Sequence, residues 1–491
     1  METEKIVDAL ITQIEAVRNP PRIEPKISHA VLLASAQLSR GLARLLFVIV
    51  IARALGPERF GVYALLLAMV EMLAVASGSG YIDYLTREAA KDERLGWGLA
   101  GQLTWLRAAY AIPFTAAGLG ILWLCGYPRL VLIGTACMSL TLIPRSLSEG
   151  IQGVLRGTSR QVEFLVVELA FGITLATSAG ILLIRGGGLV TAVVTELTAA
   201  VIGAVAALGF ALKFRTKQRL RLERSQMVKA SAIFNIYTFV ANLYDRLDVV
   251  LLSKLAGDYA TGVYSVAYRP IATVQLLPYG VLNSLLPALA RGNLAQAEKE
   301  RLERAMGLLL SMAFAIVLAT MVFADALVPL ILGTSFAESS AALKILIWAV
   351  VLRYLNFALN TRLLAGGHEK VFVVTSLVCL AVNVVGNLVF IPMFSWRAAA
   401  VLTIMTELAL LAQNVYWVRR AVGSLPRPLG WARLSLVFVV LILALFGGTR
   451  IVAPLWIGSA CLFFFLFYLY QTGMIGEFAM AWRSQREAGQ T

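Results

Sequence analysis

Long apolar runs follow one another through the chain, separated by short stretches rich in Arg, Lys, Gly and Pro. They fall at 28–52, 60–80, 97–124, 129–149, 162–184, 188–212, 231–253, 261–290, 305–324, 340–361, 371–393, 397–418, 432–448 and 454–473. A helix of ~17–25 apolar residues crosses a bilayer, and most of these runs are that long. A transmembrane β-barrel would be written in segments of about ten residues with alternating polarity. The pattern therefore predicts an all-α polytopic membrane protein with about 14 transmembrane helices. Pro270, Pro278 and Pro287 predict a kink within 261–290, because each removes a backbone donor. Ahead of the first run, Val7, Leu10, Ile11, Ile14 and Val17 share one helical face before Pro20 and Pro21 end it. Residues 1–27 are expected to be an amphipathic segment on the cytoplasmic membrane surface, or a mobile tail.

Charge orders these runs. With both ends cytoplasmic, the inside segments carry about 28 Lys and Arg and the outside segments about seven. That bias fits an even number of spans under the positive-inside rule. It also accounts for the net charge of +15: the cations sit beside anionic lipid, and no nucleic-acid partner is implied. Only 14% of residues are charged, against about a quarter in soluble domains. Cys125, Cys137, Cys379 and Cys461 lie in apolar runs, and the histidines are His29 and His368. No metal, disulfide framework or cofactor is expected.

The phrase GPERFGVYA (56–64) returns as GDYATGVYS (257–265), 201 residues later. Arg53 and Lys254 precede the two copies at the same offset. Thr195-Glu196-Leu197 likewise returns as Thr406-Glu407-Leu408. Two echoes in the same order predict an internal duplication of six spans. An even number of spans makes the repeats parallel, related by an axis along the membrane normal. The predicted organisation is a cytoplasmic amphipathic segment (1–27), an N-lobe of spans one to six (28–212) and a basic cytoplasmic linker (213–230). A C-lobe of spans seven to twelve (231–420), spans thirteen and fourteen (430–473) and a cytoplasmic tail (474–491) follow.

Several cations fall inside spans or at their borders: Arg40, Arg44, Arg107, Arg145, Arg246, Arg269, Lys344 and Arg353. A charge near the bilayer centre costs at least ~2.5–3.5 kcal/mol, so it should face a cavity or a counter-charge. Arg40 and Arg44 are four apart and share one helix face. The functional expectation is a cationic cavity, and a guanidinium fork suits phosphate oxygens. The plainer alternative is pairing with buried acids. For Arg145, Arg269, Lys344 and Arg353, snorkelling at a span end is expected. The acids Glu71, Glu168, Glu196, Asp245, Asp248 and Glu407 are also intramembrane. Glu71, Asp245, Asp248, Glu196 and Glu407 are candidates for ion coupling or charge balance. Glu71 either relays a proton or neutralises Arg40 or Arg44.

The stretches ARALGPERFGVYALLLAM (52–69), YDRLDVVLLSKLAGDYATGVYSVAYRP (244–270) and LVFIPMFSWRAAAV (388–401) carry a resemblance. In them the chain resembles the polysaccharide flippases of the multidrug/oligosaccharidyl-lipid/polysaccharide exporter superfamily, which include the O-antigen and exopolysaccharide repeat-unit translocases. The resemblance covers spans one to twelve at least, and its motifs specify the family better than the substrate. It implies two six-helix lobes around a central cavity in the bacterial cytoplasmic (inner) membrane. It implies alternating access that moves polyprenyl-pyrophosphate-linked glycan from the inner to the outer leaflet. Arg40, Arg44, Arg107 and Arg246 would line the substrate-binding cavity, and spans thirteen and fourteen would form a groove for the lipid tail. Membrane lipid is a further partner; a polysaccharide polymerase and glycosyltransferases are candidate protein partners.

Other readings make different demands. A lipid II flippase or ion-coupled multidrug exporter of the same superfamily would share the general plan. A membrane glycosyltransferase or polysaccharide polymerase needs a sizeable external loop with catalytic groups. The best external stretch, 325–340, offers two acids, Asp325 and Glu338, and no His, Lys or Arg. No G-x4-G-K-[ST] sequence is present, which excludes a P-loop ATPase. The expected protein is a transporter and not an enzyme.

Overall fold

The first two apolar runs form one broken rod, with no loop between them. A computed structural model describes residues 27–472, except 79, 186, 215–223, 276, 279–281, 283–295, 369, 424, 429 and 449–453. Helix α1 (Ile27–Ala76) changes direction at Gly56, where φ is 70° and ψ is 172°. Glycine enters that region without a Cβ penalty. Pro57 then opens the second leg, at a position where a helix needs no N–H. Farther along, helix α8 (Arg224–Val274) repeats the device at Gly257, with φ 86° and ψ 177°. The repeated phrase is thus, first, a pair of matched breaks.

Between the two rods lie α2 (Gly80–Lys91), α3 (Glu93–Leu124), α4 (Arg129–Ser139), α5 (Leu142–Gly157), α6 (Gln161–Arg185) and α7 (Leu189–Phe214). After α8 come α9 (Gln296–Leu332), a 3-10 turn at Thr334–Phe336, α10 (Ala337–Leu346) and α11 (Trp348–Ala365). Then follow α12 (Lys370–Phe394), α13 (Trp396–Val422), α14 (Trp431–Gly448) and α15 (Pro454–Gln471). The protein is an all-α polytopic membrane protein. Among the described residues, nine stretches are long and apolar enough to cross a membrane, and α14 and α15 add two shorter apolar helices.

Some expected boundaries move. Helix α2 falls where the sequence pattern reads a charged loop. Its buried residues Tyr81, Tyr84, Leu85 and Ala89 recur at helical spacing, while Arg87 and Lys91 are exposed. Half of such a helix is polar, so no apolar run announces it. The run at 129–149 is divided between α4 and α5, and that at 340–361 between α10 and α11. Helix α8 passes Pro270 and ends at Val274. The proposed amphipathic helix in 1–26, and Pro287, lie outside the described residues, as does 215–223 of the basic linker. Its remainder from Arg224 onward is helical.

Packing sorts the helices into two halves. In the first, α1 packs on α6, α3 on α5 and α6 on α7; in the second, α8 packs on α12 and α11 on α13. The rods α1 and α8 pack on each other across the middle. The apolar window of α1 is 78% buried, whereas those of α3 and α12 are 22% buried. Rod α1 therefore runs through the centre, and α3 and α12 present their apolar faces to lipid. Helix α14 docks on α9 through stacked Phe438 and Phe314 rings, 4.0 Å between centroids. Helix α15 brings Gly458 against Val322 of α9. The two C-terminal helices thus belong with the second half. In lipid such contacts hold by close packing, because apolar burial alone distinguishes little between lipid and protein.

Candidate functional site

The second meaning of the echo lies at the crossing of α1 and α8. A Cβ on Gly61 would penetrate the carbonyl group of Asp258 and lie 3.0 Å from the Gly262 nitrogen. A Cβ on Gly262 would penetrate the carbonyl group of Pro57 and lie 3.2 Å from the Gly61 nitrogen. Pro57 and Asp258 are themselves separated by the repeat offset of 201. The contact is therefore reciprocal, backbone on backbone, about a local pseudo-two-fold axis. Around it, Phe60 meets Phe336 edge to face. The Tyr127 hydroxyl donates to the Val250 carbonyl at 3.0 Å, and Lys254 lies over the Tyr127 ring.

Below this seam the same helix faces become polar. On α1, Gly61, Ala64, Ala68 and Glu71 follow at three- and four-residue steps and form one stripe. On α8, Gly262, Ser265 and Arg269 do the same. Ala64, Ala68, Glu71, Ser265 and Arg269 line a cleft between the halves. Asp245, Arg246, Asp248, Val249, Tyr264 and Tyr268 complete its wall. Glu71 Oε2 lies 2.7 Å from Arg246 Nε, an ion pair that joins the two halves. Asp248 is 5% exposed and accepts hydrogen bonds from the Tyr264 hydroxyl and the Val249 N–H. Asp245 lies 3.5 Å from Arg353. Arg269 has no carboxylate within ion-pairing distance among the described residues.

A second cluster lies inside the first half. Arg40 pairs with Glu168 at 2.9 Å, and Arg44 pairs with Glu196. Both guanidiniums also lie within 6 Å of the Phe171 ring centroid, which attracts cations. Three partners thus relieve the repulsion expected of two arginines on one face. Tyr63 donates to Glu196 at 2.7 Å. Arg107, only 3% exposed, pairs with Glu149 at 2.9 Å, and Arg145 approaches the same carboxylate at 3.5 Å. Among the described residues, two Arg107 nitrogens, Nε and Nη1, have no hydrogen-bond partner. Arg40, Arg145, Glu149 and Glu168 line a second cleft with Ser148, Gln152 and Phe171.

The second half has its own version. Arg353 lies 2.7 Å from Glu407, which also accepts from Tyr244 and Asn356. Asn414 in turn donates to Asn356. The echoed acids Glu196 and Glu407, both buried, therefore each hold an arginine of their own half. The echoed tyrosines differ: Tyr63 reaches Glu196 on another helix, and Tyr264 reaches Asp248 on its own.

The structure separates the expected cavity residues. Arg40, Arg44 and Arg107 face carboxylates of the first half, and Arg246 alone of that set lines the cleft between the halves. The partner of Glu71 is Arg246, and Glu149, not singled out in the sequence, balances Arg107. Arg145, Lys344 and Arg353 are ion-paired. Arg269 is in the cleft wall. Its signal in the sequence was its position seven residues, two helical turns, after Gly262.

Comparison with known proteins fixes what this architecture is. The sequence model of the family described as "Polysaccharide biosynthesis protein" matches residues 50–341. This chain belongs to that polysaccharide biosynthesis family. Its fold is that of transporters of the superfamily expected from the sequence. The lipid II flippase MurJ in an inward closed conformation superposes with a TM-score of 0.70 at 12% identity, covering 90% of this chain and 99% of that one. An inward-facing multidrug resistance MATE family transporter of the MOP superfamily gives 0.64 at 15% identity, covering 80% and 98%. A MOP superfamily transporter from Pyrococcus furiosus, described by a reversed polarity of its binding pocket, gives 0.55 at 16%, covering 81% and 96%. No curated protein sequence matches. In this polysaccharide biosynthesis family member, the matched segment contains α1 from residue 50 onward, all of α8, the seam and the central cleft.

Proposed function

We propose that this protein is a flippase that moves polyprenyl-pyrophosphate-linked oligosaccharide repeat units from the cytoplasmic to the outer leaflet by alternating access. It serves cell-surface polysaccharide assembly in a bacterial cytoplasmic membrane, with both termini cytoplasmic. The observation that carries this reading is Arg269. Among the described residues it is a cation without a carboxylate within ion-pairing distance, placed with Arg246 in a cleft between two halves. A guanidinium held at membrane depth without a counter-charge is costly, and an anionic head group would supply the missing charge. Membership of a polysaccharide biosynthesis family supports glycan as the cargo.

The division of labour follows from solvation. A hydrated glycan cannot cross hydrocarbon cheaply, so it takes the cleft. The polyprenyl tail stays in lipid, beside the helices of the second half. By the charge bias of the loops, the Gly56 and Gly257 breaks lie at the outer surface. The seam then closes the outer side, and the cleft is reached from the cytoplasm. The remaining intramembrane pairs, among them Arg40–Glu168, Arg44–Glu196, Arg107–Glu149 and Arg353–Glu407, balance charge and fix the helices within each half. Glu196, Glu407 and Asp245 are charge-balancing groups in this reading. Asp248 is held by Tyr264.

The test is translocation in proteoliposomes, read by exposure of the glycan to an impermeant glycan-modifying enzyme. Protein-dependent exposure of a pyrophosphate-linked oligosaccharide is the expected result. No exposure of several such glycans by folded protein, with movement of lipid II or of a cationic drug, would overturn it.

A further inference from the structure

We propose that Glu71 is a built-in stand-in for the substrate's anionic head group: it occupies the cation site made by Arg246 and Arg269, and an incoming pyrophosphate displaces it. This inference rests on the flippase reading above and adds how the empty cleft is kept and how substrate opens it. Each of the other buried ion pairs described above joins residues of one half, whereas Glu71–Arg246 joins α1 to α8. Displacing Glu71 therefore removes the ion pair that ties the two halves at the cleft, while the rods still meet at the glycine seam and α2 still packs on α8.

The geometry favours exchange. Glu71 Oε2 and Arg246 Nε are 2.7 Å apart, yet neither atom makes a hydrogen bond of acceptable direction. The contact thus has the attraction of a charge pair without the aligned N–H···O bond that makes such pairs strong. Arg269 lines the same cleft without a carboxylate of its own. The other two acids of the wall are engaged, Asp245 by Arg353 and Asp248 by Tyr264. Among the described residues, the cleft wall therefore holds two guanidiniums, Arg246 and Arg269, against one carboxylate, Glu71, that no other group engages. A pyrophosphate diester carries about twice the charge of a carboxylate and more acceptor oxygens, so it can satisfy both forks at once.

The experiment measures inorganic pyrophosphate binding by calorimetry to the full-length protein in nanodiscs, with orthophosphate as the comparison ligand. Glu71→Gln should tighten pyrophosphate binding by about tenfold or more. Glu71→Asp keeps the charge but draws the carboxylate back, and should give a smaller gain of about threefold. Adding Arg269→Gln to Glu71→Gln should remove the gain. Unchanged or weaker binding in both Glu71 variants, each with wild-type thermal stability, would overturn the proposal. An equal gain for orthophosphate and pyrophosphate would also overturn it, because a single phosphate need not bridge both arginines. Translocation separates this idea from the one it rests on. Normal flipping with unchanged pyrophosphate affinity in Glu71→Gln removes the stand-in and keeps the flippase. Tighter pyrophosphate binding in a protein that flips no lipid-linked glycan does the reverse.

Discussion

The rods α1 and α8 pack along each other, and two of their contacts have opposite chemistry. At Gly61 and Gly262 no side chain intervenes, and backbone lies on backbone. Ten residues farther along α1, Glu71 faces Arg246 across a cleft. The seam holds by close approach and dispersion, which no dissolved ion can compete for. The cleft contact is electrostatic, which an anion can replace. A carrier that rocks two halves uses both kinds. One contact must close tightly and open only when whole helices move, and the other must respond to cargo.

The comparison can be broken at either contact. The largest effect is expected at the seam. Gly61→Leu leaves no room beside Asp258, and Gly262→Leu should behave alike because the contact is reciprocal. Either should lower the translocation rate by at least about 100-fold, since overpacking of this kind displaces backbone. A normal rate in folded Gly61→Leu protein would show that the seam is not a closed gate. Next in size is Arg353→Met, which leaves Glu407 buried and facing only neutral donors. Its expected loss is about 3 kcal/mol, the low end for a broken buried pair, read as a fall in melting temperature. A similar drop in Arg269→Gln would erase the distinction between a structural pair and an open cation. Smallest is Gly120→Ala, in α3, where nothing lies within 4 Å of the added methyl group. Its expected change is within about 0.5 kcal/mol. A large effect there would mean that glycine loss as such, not the seam, explains the Gly61 variant.

Much of this was legible in the sequence, and for identifiable reasons. Apolar runs reveal spans because lipid demands them, so the all-helical polytopic plan could be read directly. The glycine echo marked the duplication but hid its purpose. G-P and G-D read as loop signals, and here each glycine is a single left-handed residue between two helical legs. Close approach at Gly61 was not visible, because the partner of a glycine is set by tertiary packing. Charge pairing was the hardest part. Glu149 and Glu168 stand 42 and 128 residues from their arginines, and no local rule joins such distances. Arg269 was more accessible than it looked. A stripe of Gly262, Ser265 and Arg269 places it on the face that meets the other half, although Pro270 beside it suggests a span end.

The most direct measurement is the rate at which wild-type and Arg269→Gln proteins translocate a polyprenyl-pyrophosphate-linked oligosaccharide in matched proteoliposomes, with melting temperatures recorded for both. A rate lowered by roughly 10- to 100-fold, equivalent to about 1.4–2.7 kcal/mol of lost cargo stabilisation, is expected at unchanged stability, because no ion pair is removed. Equal rates for the two proteins would contradict the account, and would place the path of the head group away from the cleft between α1 and α8.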